Sequence, residues 1–248
     1  MSDPRIISLI ASATEIVCAL GCREFLVGRS HECDFPHDVA DLPVCSESRV
    51  DISAASREID RQVKEAVAQA LSVYRVKTDE LERLRPTHII TQTQCEVCAV
   101  SLKDVERAVC ELVGSQPQIV SLEPMALADV WLDIRKVAES LGIAERGEAV
   151  VADLQRRLEA VRRSVESAPE RPRVVCLEWI DPLMSGGNWM PELVEIAGGH
   201  PLLARAHHGR GPGRAERSGS GGGRRPRRDR RLAIGAGRAD PRRQGRGA

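Results

Sequence analysis

Short runs rich in Ile and Val alternate with helix-patterned stretches along most of the chain, and that alternation points to a parallel α/β fold. The runs are RIISLI (5–10), FLVGRS (25–30), HIITQ (88–92), QIVSLE (118–123) and RVVCLEWI (173–180). Parallel strands need crossover connections, and helical sequence lies near each of the first four. After the first run, Ser12-Ala13-Thr14-Glu15 makes a capping-box pattern for a helix over 13–20, which Gly21 ends. A helix over 78–85 stops before Pro86, because the residue preceding a proline avoids the helical region.

The stretch from Leu127 to Ser167 breaks this rhythm. It carries no strand pattern and predicts two helices separated at Gly142. In the second, Val150, Val151, Leu154, Leu158 and Val161 recur at helical spacing with charges between them. Pro169 and Pro172 then bracket a turn before the next strand. The pattern reads as an N-terminal α/β lobe (5–125), a helical connector (126–168) and the start of a C-terminal α/β lobe (169–204). That second lobe holds one strand and one helix, MPELVEIAGG. Residues 205–248 are Arg- and Gly-rich and are expected to lack regular structure.

The 248 residues carry no formal net charge, but the zero conceals a division. The last 44 hold fourteen Arg, no Lys and three acidic residues, a formal +11, so residues 1–204 carry −11. The tail has no aromatic side chains for stacking and no recognisable module, which argues against a nucleic-acid partner. No apolar run approaches the ~20 residues needed to span a bilayer. The N-terminus lacks a basic region, and Arg5 and Glu15 interrupt its apolar part, so it does not read as a signal peptide. As written the chain is expected in the cytoplasm, with a periplasmic or surface location if its start lies elsewhere. Its eight cysteines are then expected to be mainly reduced thiols.

In open α/β sheets ligands bind at the carboxyl ends of the strands. Four loops fall there: Ala11–Glu15, Ser30–Pro36, Gln92–Ser101 and Glu178–Trp189. The first offers the hydroxyls of Ser12 and Thr14 at a helix start, which serve equally as a cap or as ligand contacts. The second concentrates His31, Glu32, Cys33 and Asp34, side chains that function favours in loops. The third contains Cys95-x-x-Cys98, where a strand hands over to a helix. A helix N-terminus lowers a thiol pKa, but Glu96 between the cysteines opposes the thiolate. A structural zinc site needs more ligands, and only His31 and Cys33 suggest themselves. Structural, metal-binding and redox roles for the pair therefore remain open. A cytosolic thiol-redox or metal enzyme built on Cys95 and Cys98 is the alternative function.

Four stretches together carry a family resemblance: RIISLIASATEIVCALG, VGRSHECDFP, LERLRPTHIITQTQCEVCAVS and EWIDPLMSGGNWMPELVEIAGG. They resemble, in register over about residues 5–203, the cobalamin-binding branch of the helical-backbone substrate-binding proteins. These are partners of cobalamin and iron-siderophore ABC importers. The resemblance implies two α/β lobes joined by a long helix, with ligand held in the cleft between them and no catalytic step. It implies cobalamin or another corrinoid as ligand, no required cofactor, and an importer permease as partner. It also implies that Ser12, Thr14, His31, Glu32, Thr93 and Gln94 line the cleft from the first lobe, and Trp179, Asp181 and Trp189 from the second. A large, partly apolar corrin needs such apolar walls with a few polar contacts. Trp131 is expected in the core instead. Asp79 falls where the family carries a carboxylate that docks transporter arginines.

The chain departs from the family in two ways. It shows no signal or lipid anchor, and the family's second lobe continues through further strands and helices. GRRPRRDRR (223–231), back-translated and read one base later, can give an Ala-Asp-Pro-Asp strand opening like the family's. Residues from about 205 onward are therefore expected to be a frame-shifted translation of the second lobe. The nucleotide sequence tests this, since an intact family frame must lie one base over.

Overall fold

The computed structural model describes residues 3–69, 72–93, 102–110, 112 and 116–203. The chain is an α/β protein of two lobes joined by a long helix, with the second lobe truncated relative to its fold. The first lobe is built on a four-stranded parallel sheet of order β2-β1-β5-β6, comprising β1 (Ile6–Ser8), β2 (Leu26–Arg29), β5 (His88–Gln92) and β6 (Gln118–Leu122). These are the four strands that the sequence predicts for this lobe. β5 has the expected bounds, and the other three are shorter by one to three residues.

Alternation along the strands gives the sheet two apolar faces. Ile6 pairs with His88 and Ile7 with Ile89, so consecutive isoleucines enter opposite layers. Ile6 and Ile90 join Val17, Leu20, Ile134 and Val137 on one face. Ile7 and Ile89 join Leu81, Leu84, Val105 and Val109 on the other. The helices supplying those layers are α1 (Ala11–Ala19), α3 (Thr78–Leu84), α4 (Leu102–Cys110) and α5 (Leu127–Ser140). Gly28 in β2 has no room for a side chain: a Cβ would lie 2.6 Å from Cys45 Sγ.

Three features depart from the sequence reading. Helix α1 starts at Ala11, capped by Ile10 with no side-chain hydrogen bond, so Ser12 and Glu15 do not form a capping box. The Ser8 hydroxyl instead donates to the Ile10 carbonyl (2.9 Å), and the helix starts directly after Ile10. A pair of three-residue strands, β3 (Ser46–Ser48) and β4 (Tyr74–Val76), runs antiparallel beside the main sheet, with α2 (Ser56–Ala68) between them in sequence. Finally, the expected strand 173–180 is two strands. β7 (Arg173–Val174) pairs in parallel with β10 (His200–Pro201), whereas β8 (Leu177–Ile180) folds back on β9 (Leu183–Ser185). Gly186 N–H donates to Cys176 O (2.9 Å) at the break.

The two helices expected after residue 126 are present as α5 and α6 (Ala144–Val165), with Gly142 at φ +71° between them. Their packing shifts the border of the connector. Ile134, Val137 and Ala138 of α5 and Val151 of α6 belong to the first-lobe core. A Cβ on Gly147 would stand 2.6 Å from Ala138 Cβ, so the two helices touch at van der Waals distance there. The later part of α6 borders the start of α5, across a concavity lined by Leu127, Trp131, Leu158 and Ile196, and reaches the second lobe. There Val165 packs on Gly198, which follows α7 (Met190–Ile196).

Candidate functional site

The loops that follow β1, β2, β5 and β6 share the carboxyl edge of the parallel sheet. Their polar groups form two clusters. In the first, the Thr14 hydroxyl donates to Ser8 Oγ (2.8 Å) and touches Cys33 Sγ (3.0 Å), binding α1 to the loop after β2. Thr14 is fully buried, so this candidate supports the site's floor and has no surface of its own. Ser12, one residue into the helix, is exposed at the same end.

His31 and Glu32 are held by residues from β3 and β4. The His31 backbone N–H donates to Ser46 Oγ (3.2 Å), and its Nδ1 lies 2.9 Å from the same oxygen. The His31 ring leans on Tyr74, with centroids 5.2 Å apart. Tyr74 in turn donates its hydroxyl to Glu32 Oε1 (3.2 Å). Burial pushes the His31 pKa below its ordinary value, against the opposing charge of Glu32. This favours the neutral ring, whose Nε2 is buried with no hydrogen-bond partner among the described residues. Burial, followed by the charge of Glu32, pushes the Tyr74 phenol up to about 12. Sequence reasoning missed Ser46 and Tyr74. The sole tyrosine of the chain, set in VYRV, was the available signal.

The second cluster joins β5 to β6. The Thr93 N–H donates to Leu122 O (3.1 Å), its hydroxyl donates to Glu123, and Ser121 Oγ donates to Thr93 Oγ1 (3.2 Å). Asp133 of α5 accepts the Glu123 N–H on Oδ1 (3.4 Å) and leaves Oδ2 buried without a partner. Burial raises its pKa to about 6, opposed by that N–H and by Lys136. Gln94, Cys95 and Cys98 lie outside the described residues.

On the second lobe, Trp179 of β8 donates its indole N–H to Asp181 O (2.9 Å) in the turn to β9. The Asp181 carboxylate accepts two bonds from Arg57 at the start of α2, from Nε (3.1 Å) and a terminal nitrogen (2.8 Å). That pair ties the second-lobe turn to the first lobe, a partner no pattern in the sequence suggests. Trp189 is the half-buried cap residue of α7. Trp131 packs against the first-lobe core, as expected. Asp79 is exposed on the first turn of α3, beside Arg49, Arg75, Lys77 and Arg107.

Of the metal candidates, only His31 and Cys33 lie among the described residues. Among the described residues no three His, Cys, Asp or Glu side chains gather to hold an ion, and Cys33 is buried against Thr14. The six described cysteines are free thiols. Burial raises the pKa of Cys18 and Cys22 and pushes Cys45 up to about 12, which makes these three poor nucleophiles. Among the described residues no helix is long and apolar enough to cross a membrane.

Comparison with solved structures gives matches of similar shape at low identity. The periplasmic heme-binding protein RhuT from Roseiflexus sp. RS-1 is 24% identical, with a TM-score of 0.57 over 80% of this chain and 65% of that one. The periplasmic vitamin B12 binding protein BtuF of Vibrio cholerae is 19% identical, with a TM-score of 0.57 over 82% and 68%. The periplasmic heme binding protein HutB of Vibrio cholerae is 16% identical, with a TM-score of 0.56 over 81% and 66%. The chain thus spans about two thirds of the length of these proteins. No curated protein matches it. The family model described as "Periplasmic binding protein" matches residues 6–217, and the chain belongs to that family.

Proposed function

We propose that this chain is the ligand-capturing portion of an ABC-importer substrate-binding protein, and that its ligand is a corrinoid, cobalamin or a close relative. The observation that carries the reading is the Arg57–Asp181 contact. It joins the Trp179 turn of the second lobe to α2 of the first, which supports a cleft between the two α/β units. Trp179 and Trp189 supply apolar contact from the second lobe. Ser12, His31, Glu32, Thr93 and Gln94 supply polar contacts from the first, with Asp181 at the margin and Thr14 beneath. The permease meets the exposed Asp79, and the protein works in the periplasm or on the cell surface, where its family typically resides. The vitamin B12 binding protein BtuF and the heme-binding proteins RhuT and HutB, similar in fold, support a tetrapyrrole ligand. Nothing in the reading calls for a catalytic step or a cofactor.

Cobalamin titration tests it. Saturable binding shifts the corrin absorption and quenches tryptophan fluorescence. Trp179→Ala should weaken binding by ~10²-fold, as loss of a large indole contact does, and Trp131→Ala far less. Equal effects from the two would mean the cleft is misassigned. Heme binding without corrinoid binding would move the ligand to iron porphyrins. A longer chain continued in the family reading frame, tested alongside, should bind more tightly than this one.

A further inference from the structure

A second concavity lies away from the cleft residues, on the flank where β4, α3 and α4 meet. It encloses about 340 Å³, within the range of small-molecule sites. Four cations, Arg49, Arg75, Lys77 and Arg107, line it with two carboxylates, Asp79 and Asp104. Two of the cations are already engaged: Arg75 pairs with Glu47 at 2.6 Å, and Arg107 reaches Asp104 at 3.4 Å. The Arg49 guanidinium and the Lys77 ammonium make no hydrogen bond or ion pair with a described residue. Residues 1–204 carry a formal −11, so this concentration of positive charge runs against its surroundings.

We propose that this basin binds a small phosphate-bearing anion. Two uncommitted cations match a phosphate monoester, which carries about −1.5 to −2 at pH 7. A guanidinium fork holds two phosphate oxygens in one plane, while an ammonium adds a compact charge with three donors. The Thr78 hydroxyl, also in the lining, offers a neutral donor beside them. Asp79 opposes the anion and sets how tightly it is held. Asp79 is also the proposed permease contact, but the basin contains none of the residues assigned to the corrinoid cleft, so corrinoid capture and anion binding stand or fall separately.

The experiment is a titration of the full chain with inorganic phosphate at constant ionic strength, followed by amide chemical shifts, with chloride as control. Saturable shifts should appear at residues 77–79 and 107–108. Lys77→Gln and Arg49→Gln should each weaken binding at least tenfold, while Asp79→Asn should tighten it several-fold. The gain from Asp79→Asn decides the matter if either cation variant fails to fold, since a damaged protein does not bind better. Shifts confined to the arginines of 205–248, binding unchanged in a folded Lys77→Gln, or no tightening in Asp79→Asn would overturn the proposal.

Discussion

The two lobes are built from the same kinds of side chain and treat them in opposite ways. In the first lobe Ile89 and Ile90 are wholly buried, although they are neighbours on one strand. In the second, Leu177, Ile180 and Leu183 stand 52%, 70% and 72% exposed. The difference lies in layers. β5 has a strand on each side and helices on both faces, whereas among the described residues β8 pairs only with β9, and β7 only with β10. A two-stranded ribbon is marginal by itself, because it can hide neither face. Apolar sequence becomes a core only where a second and third layer reach it.

That contrast breaks most directly by truncating one isoleucine. Ile89→Ala, under two layers, should cost about 2–5 kcal/mol in urea unfolding. A loss below ~1 kcal/mol would mean that the first lobe is as loosely built as the second. Next comes Gly147→Ala. On an isolated helix this change stabilises by roughly 0.5–1 kcal/mol. Here the new methyl would meet Ala138 at 2.6 Å, so the sign should reverse to a loss of about 1–3 kcal/mol. A gain would show that α5 and α6 separate freely.

Asp133 offers a subtler comparison. Its folded pKa of about 6 lies above the ordinary 3.8, so the folded state holds the proton more tightly than the unfolded one. The stability this gives is present below pH 3.8 and is lost as pH rises through about 6, on the order of 2 kcal/mol. Asp133→Asn should flatten that part of the pH–stability curve and, at about pH 8, unfold at higher denaturant than the native protein. An unchanged slope would assign the titration elsewhere. Smallest of all should be Leu183→Ala, within about 0.5 kcal/mol, because the side chain is already in water. A larger cost would place unseen partners over the second lobe.

The sequence made the four-stranded sheet legible because its strands are apolar on both faces and bounded by helix patterns. β3 escaped notice, since SES has neither alternation nor β-branched content, and its strand character comes from its partner β4, whose YRV is too short to stand out. RVVCLEWI was misleading as one strand. It reads as continuous β-sequence, yet its halves find different partners. Of the candidate site residues, His31 and Glu32 stand out in the sequence by their place after a strand, and Thr93 by the family resemblance. The supports of His31 and Glu32 do not, because Ser46 and Tyr74 lie 15 and 42 residues away from the groups they hold. Arg57 lies farther still, 124 residues from Asp181.

Gly147 has a mechanical consequence. With α5 and α6 pressed together at that point and Val151 sunk in the first-lobe core, the opening turns of α6 are clamped like the root of a beam. The helix has 22 residues, about 33 Å at 1.5 Å each, and its later residues Gln155, Leu158 and Arg162 still border a concavity shared with Leu127 and Trp131 of α5. At its end Val165 meets Gly198, just after α7, and Glu192 of α7 accepts the Leu127 N–H of α5 (3.0 Å). A swing of the second lobe must therefore break the Leu127–Glu192 and Arg57–Asp181 hydrogen bonds as well as bend α6.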